Sequence, residues 1–254
     1  VVLNKANPKR IRVSVLTDGQ EVYYSLGLLS GLIKNEIHVD FIGNDVMERM
    51  WTSNVSNVTF FNLRGDQSPD APISEKILRV LKYYLRLIKY AAETDSSLFH
   101  IQWLNKFVYF DRTLLNIYYK ILGKKLVFTA HDVNFKELVG KDTLLNRLSL
   151  KFMYRIVDRI IVHTEKMRNQ LVKDFNVNMN KITIIPHGIN IIMPQSELTR
   201  EEARSRFCLR TKDKVLLFFG NIAPYKGLEV LVQAVPYLKD RLSNLRLMIV
   251  GRIK

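Results

Sequence analysis

Cysteine is almost absent: Cys208 is the only one in 254 residues. That excludes an internal disulfide and any zinc cluster built on cysteines. Cys208 falls in a helical pattern and is expected to be packed. Long apolar runs are missing too, and none approaches the ~20 residues of a membrane span. Residues 1–10 contain no apolar stretch of the signal-peptide kind, so the sequence reads as cytoplasmic. Acidic residues are scarce, with 24 Asp and Glu against 39 Lys and Arg, a net charge of +15. That excess calls for an anionic partner, whether nucleic acid, an acidic membrane surface or phosphorylated ligands. The basic residues are spread widely, and no helix-turn-helix or aromatic RNA-binding signature occurs, which argues against nucleic acid. There is no Asp-x-Asp and no His/Cys cluster with ligand spacing, so neither a metal nor another cofactor is expected. Paired carboxylates suited to glycoside hydrolysis are not evident.

Apolar residues make up 47% of the chain, enough for a substantial core. They come in alternating strand and helix patterns. Strands are expected at 11–16, 37–42, 58–63, 98–103, 125–130, 159–164, 182–185, 214–219 and 245–250. Helices are expected at 21–34, 73–92, 110–122, 144–157, 165–175, from Thr199, and from Leu228 to about 242. The alternation predicts an α/β fold with mainly parallel sheets. Ligands in such folds bind at the carboxyl ends of strands, where Asp18, Gly19, His131, Thr164, His187 and Gly220 fall. Residues 188–198 contain Pro194 and lack a strong period, and read as a linker. The expected domains are 1–190 and 191–254. Two buried strands cannot make a stable α/β domain, so the second is expected to be incomplete.

The most pointed stretch is 214–227. Residues 215–219 are an unbroken apolar run, suited to a strand buried on both faces. Gly220 stops it, a loop ends at Lys226-Gly227, and an amphipathic helix follows. Strand, glycine loop and helix can hold a phosphate through helix-start N–H groups and a lysine. The spacing is neither Gly-x4-Gly-Lys-[Ser/Thr] nor Gly-x-Gly-x-x-Gly. A plain βα turn with a solvated lysine fits equally well.

Three segments together resemble family 4 of the retaining GT-B glycosyltransferases. They are Val127-Phe128-Thr129-Ala130-His131-Asp132-Val133, then Ile161-Val162-His163-Thr164-Glu165 with Pro186-His187-Gly188-Ile189-Asn190, and Phe218-Phe219-Gly220 with Tyr225-Lys226-Gly227. The resemblance implies two Rossmann-like domains facing across a cleft. The acceptor would lie mostly on the first and a nucleotide-sugar donor on the second. It implies that Gly220, Asn221, Lys226 and Gly227 touch the donor. It also implies that the family's donor segment with two glutamates lies beyond Lys254, so that the chain is a C-terminally truncated, inactive fragment. The family's arginine beside the lysine is replaced here by Asn221 or Ala223, which leaves the diphosphate to Lys226 and backbone N–H groups. Asn190 stands where the family has aspartate.

His131 ends a strand, and the resemblance puts it beside the transferred sugar as the catalytic candidate. A strand-end histidine bonded to a backbone carbonyl is the bland alternative. His100, His163 and His187 fit packing or capping equally well, and none is expected to be catalytic. Asp18, Gly19, Gln20, Thr164, His187 and Gly188 are the candidates for lining the acceptor or donor cleft. On the 73–92 helix, Lys76, Arg79, Lys82, Arg86 and Lys89 share one side, and Ile77, Leu81, Tyr84 and Ile88 the other. An ordinary surface helix would bury the apolar side. A basic face could instead meet anionic lipid, giving a peripheral membrane protein. The leading function is transfer of a sugar from a nucleotide-sugar to a glycan or lipid-linked acceptor, as in polysaccharide biosynthesis. The alternatives are an inactive GT-B-like fragment that binds an acceptor or partner, and a basic nucleic-acid-binding protein.

Overall fold

The computed structural model describes residues 11–19, 21–51, 55–189 and 196–252. The chain divides into two compact units, Val1–Met193 and Pro194–Lys254.

The first unit is a doubly wound α/β layer. Its strands are β1 (Arg12–Leu16), β2 (His38–Gly43), β3 (Val58–Asn62), β4 (Leu98–Ile101), β5 (Lys125–Thr129), β6 (Arg159–Val162) and β7 (Ile182–Ile184). All pair in parallel, in the order β3-β2-β1-β4-β5-β6-β7. The intervening helices are α1 (Val22–Lys34), α2 (Asp45–Met50), α3 (Ile73–Glu93), α4 (Val108–Phe110), α5 (Asn116–Ile121), α6 (Phe135–Leu138), α7 (Leu144–Ile156) and α8 (Glu165–Phe175). Residues 111–115 widen into a π turn between α4 and α5.

Period-two alternation sorts β1 between two cores. Val13 and Val15 pack with Leu26, Leu29, Phe41 and Met47, on the side of α1 and α2. Leu16 faces the other way, into a larger cluster with Leu87, Phe99, Leu126, Tyr154 and Ile160. Polar residues buried at the sheet are tied by hydrogen bonds, as burial demands. Asp40 on β2 accepts from Arg12 Nε at 3.0 Å, Tyr90 Oη at 2.8 Å and Thr94 Oγ1 at 3.0 Å, which fastens α3 to the sheet. Two short elements escape the sequence pattern: α2, capped by Asn44 Oδ1 accepting from Met47 N at 3.0 Å, and α6.

Helix α3 corrects the expected face. Tyr83, Tyr84, Leu87, Tyr90 and Ala91 are buried, while Ile77 is 55% and Leu81 48% exposed. The buried stripe is turned toward the tyrosines because Tyr90 reaches Asp40 and Ser14, and Tyr84 reaches Asp111. Ile73, Ile77, Leu78, Leu81 and Leu85 are left as an exposed apolar strip.

The second unit holds α9 (Arg200–Arg206), β8 (Lys214–Phe219), α10 (Leu228–Lys239) and β9 (Leu245–Val250). Thr199 and Glu202 form a reciprocal capping box at the start of α9. β8 and β9 pair in parallel. β8 is not buried on both faces as its apolar run suggests, since Leu217 is 58% and Phe219 81% exposed. One helix covers one face of a two-stranded sheet and leaves the other bare. Cys208 is exposed rather than packed, because the chain leaves α9 through a left-handed residue there, φ +54°.

No helix among the described residues is long and apolar enough to cross a membrane.

Candidate functional site

Strand order reverses direction at β1. The chain winds outward to β2 and β3, then returns to lay β4 against the other side of β1. Loops that part in this way leave a crevice at the carboxyl ends of the two strands. The first loop is the turn Thr17-Asp18-Gly19. Gly19 adopts φ +81°, and a Cβ there would stand 2.7 Å from Asn44 Nδ2. That amide donates to Gly19 O at 2.8 Å, so the turn is clamped against the start of α2. The second loop runs from Gln102 to Lys106.

Between them lies a cavity of about 520 Å³ lined by Asp18, Gly19, Arg64, Lys76, Arg79, Tyr83, Asn105 and Lys106, among others. Arg64 forms its floor and is 9% exposed. Its Nε donates to Thr17 O at 3.0 Å, its Nη2 donates to Tyr83 Oη at 3.0 Å and to Asn105 Oδ1, and its guanidinium lies 4.0 Å from the Tyr83 ring centre. Arg79 is pinned by Asp66 at 2.8 Å and by Glu75. Arg64 and Lys106 were not singled out in the sequence.

A second group gathers at the ends of β5, β6 and β7. His131 follows β5, His163 follows β6 directly, and His187 lies beyond β7. His163 Nδ1 lies 2.8 Å from Ile185 O, which can only accept, so Nδ1 carries the proton. His163 Nε2 then accepts from His131 Nδ1 at 3.2 Å. This fixes the tautomer of His131 and leaves its buried Nε2 as a lone pair with no hydrogen-bond partner among the described residues. Trp103 stacks on the His131 ring at 3.9 Å, Tyr24 of α1 meets it edge-on at 4.8 Å, and His187 stacks on His163 at 3.6 Å. Burial, reinforced by His163, His187 and His100, outweighs the backbone of Gln102 and pushes the His131 pKa down to about 3. Burial and then His163 lower that of His187 as well. His131 is therefore neutral at pH 7.

Ring nitrogens of His131, His163 and His187 all lie within 4.8 Å of one another, a set able to hold a metal ion. Sequence spacing gives no sign of this grouping. Neighbours in sequence carry no ligand spacing here, but three parallel strand ends bring the residues together.

His100, beneath this group, accepts at Nε2 from the Gln102 amide at 2.7 Å and lies 2.8 Å from Thr129 Oγ1. Burial lowers its pKa to about 4. The unfolded chain, with an ordinary pKa near 6.5, takes up this proton first as pH falls. The stability that neutral His100 contributes is present above pH ~6.5 and is lost as pH falls toward 4. Denaturant titrations should show His100 alone removing about 2 kcal/mol of stability by pH 5, and His100→Gln should flatten that slope. Equal slopes in both proteins would show that His100 does not set it.

The other expected site residues separate. Thr164 caps α8, accepting from Met167 N at 3.2 Å. Gly188 is exposed beyond β7. Gln20 and Asn190 lie outside the described residues. Gly220, Asn221, Lys226 and Gly227 belong to the second unit. The N–H of Gly220 donates to Val250 O at 2.9 Å, and that of Gly227 to Pro224 O at 3.2 Å, so neither is free for a phosphate. Donors left in this loop include the Asn221 amide, Lys226, exposed with its ammonium 5.3 Å from the Tyr225 ring centre, and the first-turn N–H groups of α10. Gly227, at φ +69°, turns the chain into that helix. Lys82, Arg86 and Lys89 lie exposed along α3, beside the apolar strip.

This architecture is that of the GT-B fold: a parallel seven-stranded sheet under helices, joined to a second parallel α/β unit. The chain belongs to Glycosyltransferase Family 4, whose model matches residues 18–191, and a Glycosyl transferases group 1 model matches residues 199–254. It is 34% identical over 137 residues to the D-inositol 3-phosphate glycosyltransferase of Mycobacteroides abscessus, covering 51% of this chain and 29% of the relative. It is 30% identical over 118 residues to the mannosylfructose-phosphate synthase of Agrobacterium fabrum, covering 46% and 24%. The match therefore spans only about a quarter of each curated relative. Among solved structures it resembles the sucrose-phosphate synthase of Thermosynechococcus elongatus, with TM-score 0.68, 15% identity, and 95% of this chain and 62% of that one covered. Anabaena HepE, solved with UDP and glucose, gives TM-score 0.62 and 15% identity, covering 96% and 61%.

Proposed function

We propose that the full-length enzyme moves a sugar from a nucleotide-sugar to an acceptor held on the first unit, with retention and without a metal. The observation that carries this reading is the neutral His131, whose Nε2 has no hydrogen-bond partner among the described residues and which stands at the end of β5, on the same carboxyl edge of the sheet as the switch-point cavity at β1 and β4. The names of the relatives, all sugar transferases or synthases, support it, as does a neighbour solved with UDP and glucose. His131 Nε2 would accept from a hydroxyl of the transferred sugar and hold the sugar in register. The leaving diphosphate would be stabilised by Lys226 and the start of α10. The acceptor would be a glycan or a lipid-linked molecule, and the enzyme would meet it at the inner face of a membrane. The exposed apolar strip of α3 and the lysines beside it support contact with an anionic bilayer.

Transfer assays with a panel of nucleotide-sugars test this reading, and turnover should survive chelators. No hydrolysis or transfer with any donor would overturn it. In the same enzyme Lys226→Ala should weaken nucleotide diphosphate binding about tenfold or more, since it removes a charge-assisted contact. Titration calorimetry reads this directly, and unchanged affinity would move the diphosphate elsewhere.

A further inference from the structure

We infer that the switch-point cavity of the first unit recognises a phosphate ester, so that the acceptor is phosphorylated. The inference rests on the acceptor-side reading above and names the acceptor's chemistry.

The cavity lining carries four cations, Arg64, Lys76, Arg79 and Lys106, against one carboxylate, Asp18. Of these, Arg79 is neutralised by Asp66 and Glu75. The other three have no carboxylate within ion-pair distance among the described residues. For Lys76, exposed on α3, that is ordinary. For Arg64 it is not: a guanidinium more than nine-tenths buried is expected to have a counter-charge. Its Nε and Nη2 are occupied by neutral oxygens of Thr17, Tyr83 and Asn105, and its Nη1 makes no hydrogen bond among the described residues. The buried carboxylate Asp111 feels the Arg64 charge at longer range but makes no ion pair with it, being held by Tyr84 Oη at 2.8 Å and Asn105 N at 2.6 Å. Arg64 is thus a fixed fork with one free prong on the cavity floor, and Lys76 and Lys106 stand on the walls.

A planar guanidinium fixed by neutral partners and flanked by lysines suits a tetrahedral dianion. A neutral sugar would be bound by carboxylates, amides and aromatic faces, and would leave Arg64 Nη1 and the two lysines without an anionic partner in the cavity. The volume of about 520 Å³ admits a sugar phosphate or the phosphorylated head of a lipid, but not a long chain.

Titration calorimetry on the full-length enzyme with inorganic pyrophosphate, glucose 6-phosphate, glucose and a micellar prenyl diphosphate tests the assignment. The phosphorylated probes should bind and glucose should not. Lys76→Glu with Lys106→Glu should weaken glucose 6-phosphate binding about tenfold or more, equivalent to about 1.4 kcal/mol, while Lys226→Ala leaves it unchanged. Arg64→Lys keeps the charge but loses the fork and should weaken it too. Because Arg64 also supports the Thr17 turn, the lysine pair decides if that variant fails to fold. Preference for the prenyl diphosphate over pyrophosphate assigns the phosphate to a lipid carrier, and equal affinity assigns it to a soluble ester. Equal binding of glucose and glucose 6-phosphate, or loss of phosphate binding on Lys226→Ala alone, would overturn the inference. Both outcomes are independent of whether any sugar is transferred, so its failure is distinct from that of the transferase reading.

Discussion

His131→Ala is expected to lower kcat of the full-length enzyme by about a hundredfold or more while leaving its melting temperature within a few degrees of the parent. The ring is part-buried against Trp103 and Tyr24, but it lies at a strand end and outside the hydrophobic core, and its Nε2 has no hydrogen-bond partner among the described residues. Its worth lies in an acceptor position fixed by the chain from Ile185 O through His163. His163→Ala should act in the same direction with a smaller loss, because it frees the tautomer without removing the ring. Burial is the main cause of the low His131 pKa, and His163 is the strongest of the three histidines that add to it; removing His163 both opens the site and takes away that contribution, so the acid limb of the pH–rate profile should move upward. A merely structural His163 would leave that limb in place. Unchanged turnover in His131→Ala would take the residue out of the chemistry.

Binding to anionic vesicles should be lost when Lys82 and Arg86 are both reversed to Glu. Each basic residue near such a surface is worth ~1 kcal/mol, so two reversals remove about 4 kcal/mol, roughly a thousandfold in partition. Both side chains are exposed on α3. Sedimentation with vesicles should also fall at high salt, which screens the attraction. The apolar strip adds a separate arm: Leu81→Asp with Leu85→Asp should weaken binding at every salt concentration, because those side chains are 48% and 69% exposed and available to insert. Equal binding of the parent to neutral and anionic vesicles would defeat the electrostatic part.

The strands were legible because each carries its own apolar run, and parallel strands buried on both faces leave such runs unbroken. His131 was legible because it ends one of those runs. What joins it was not. Trp103 follows β4, Tyr24 lies on α1 and His163 follows β6, and only the sheet order makes them neighbours. Arg64 sits in a polar loop, where an arginine looks solvated; its burial depends on Tyr83 standing over it from α3. The face of α3 was misjudged for a related reason. Counting Ile77 and Leu81 as core treats hydrophobicity as decisive, yet the tyrosines won the interior because Asp40, Ser14 and Asp111 offered their hydroxyls partners. In the second unit, the run at 215–219 correctly gave a strand but not its surroundings.

The seven-stranded sheet has a consequence for how a ribosome would deliver it. β1 precedes the others and lies inside the sheet, with β2 on one side and β4 on the other. Every later strand is laid against one that has already emerged: β2 on β1, β3 on β2, β4 on β1, and then β5, β6 and β7 each on its predecessor. No strand waits, unpaired, for a partner still to be synthesised. One edge is exposed for longer: the side of β1 that receives β4 stays bare while β2, β3 and α3 emerge, which makes it the edge most open to pairing with other chains during synthesis.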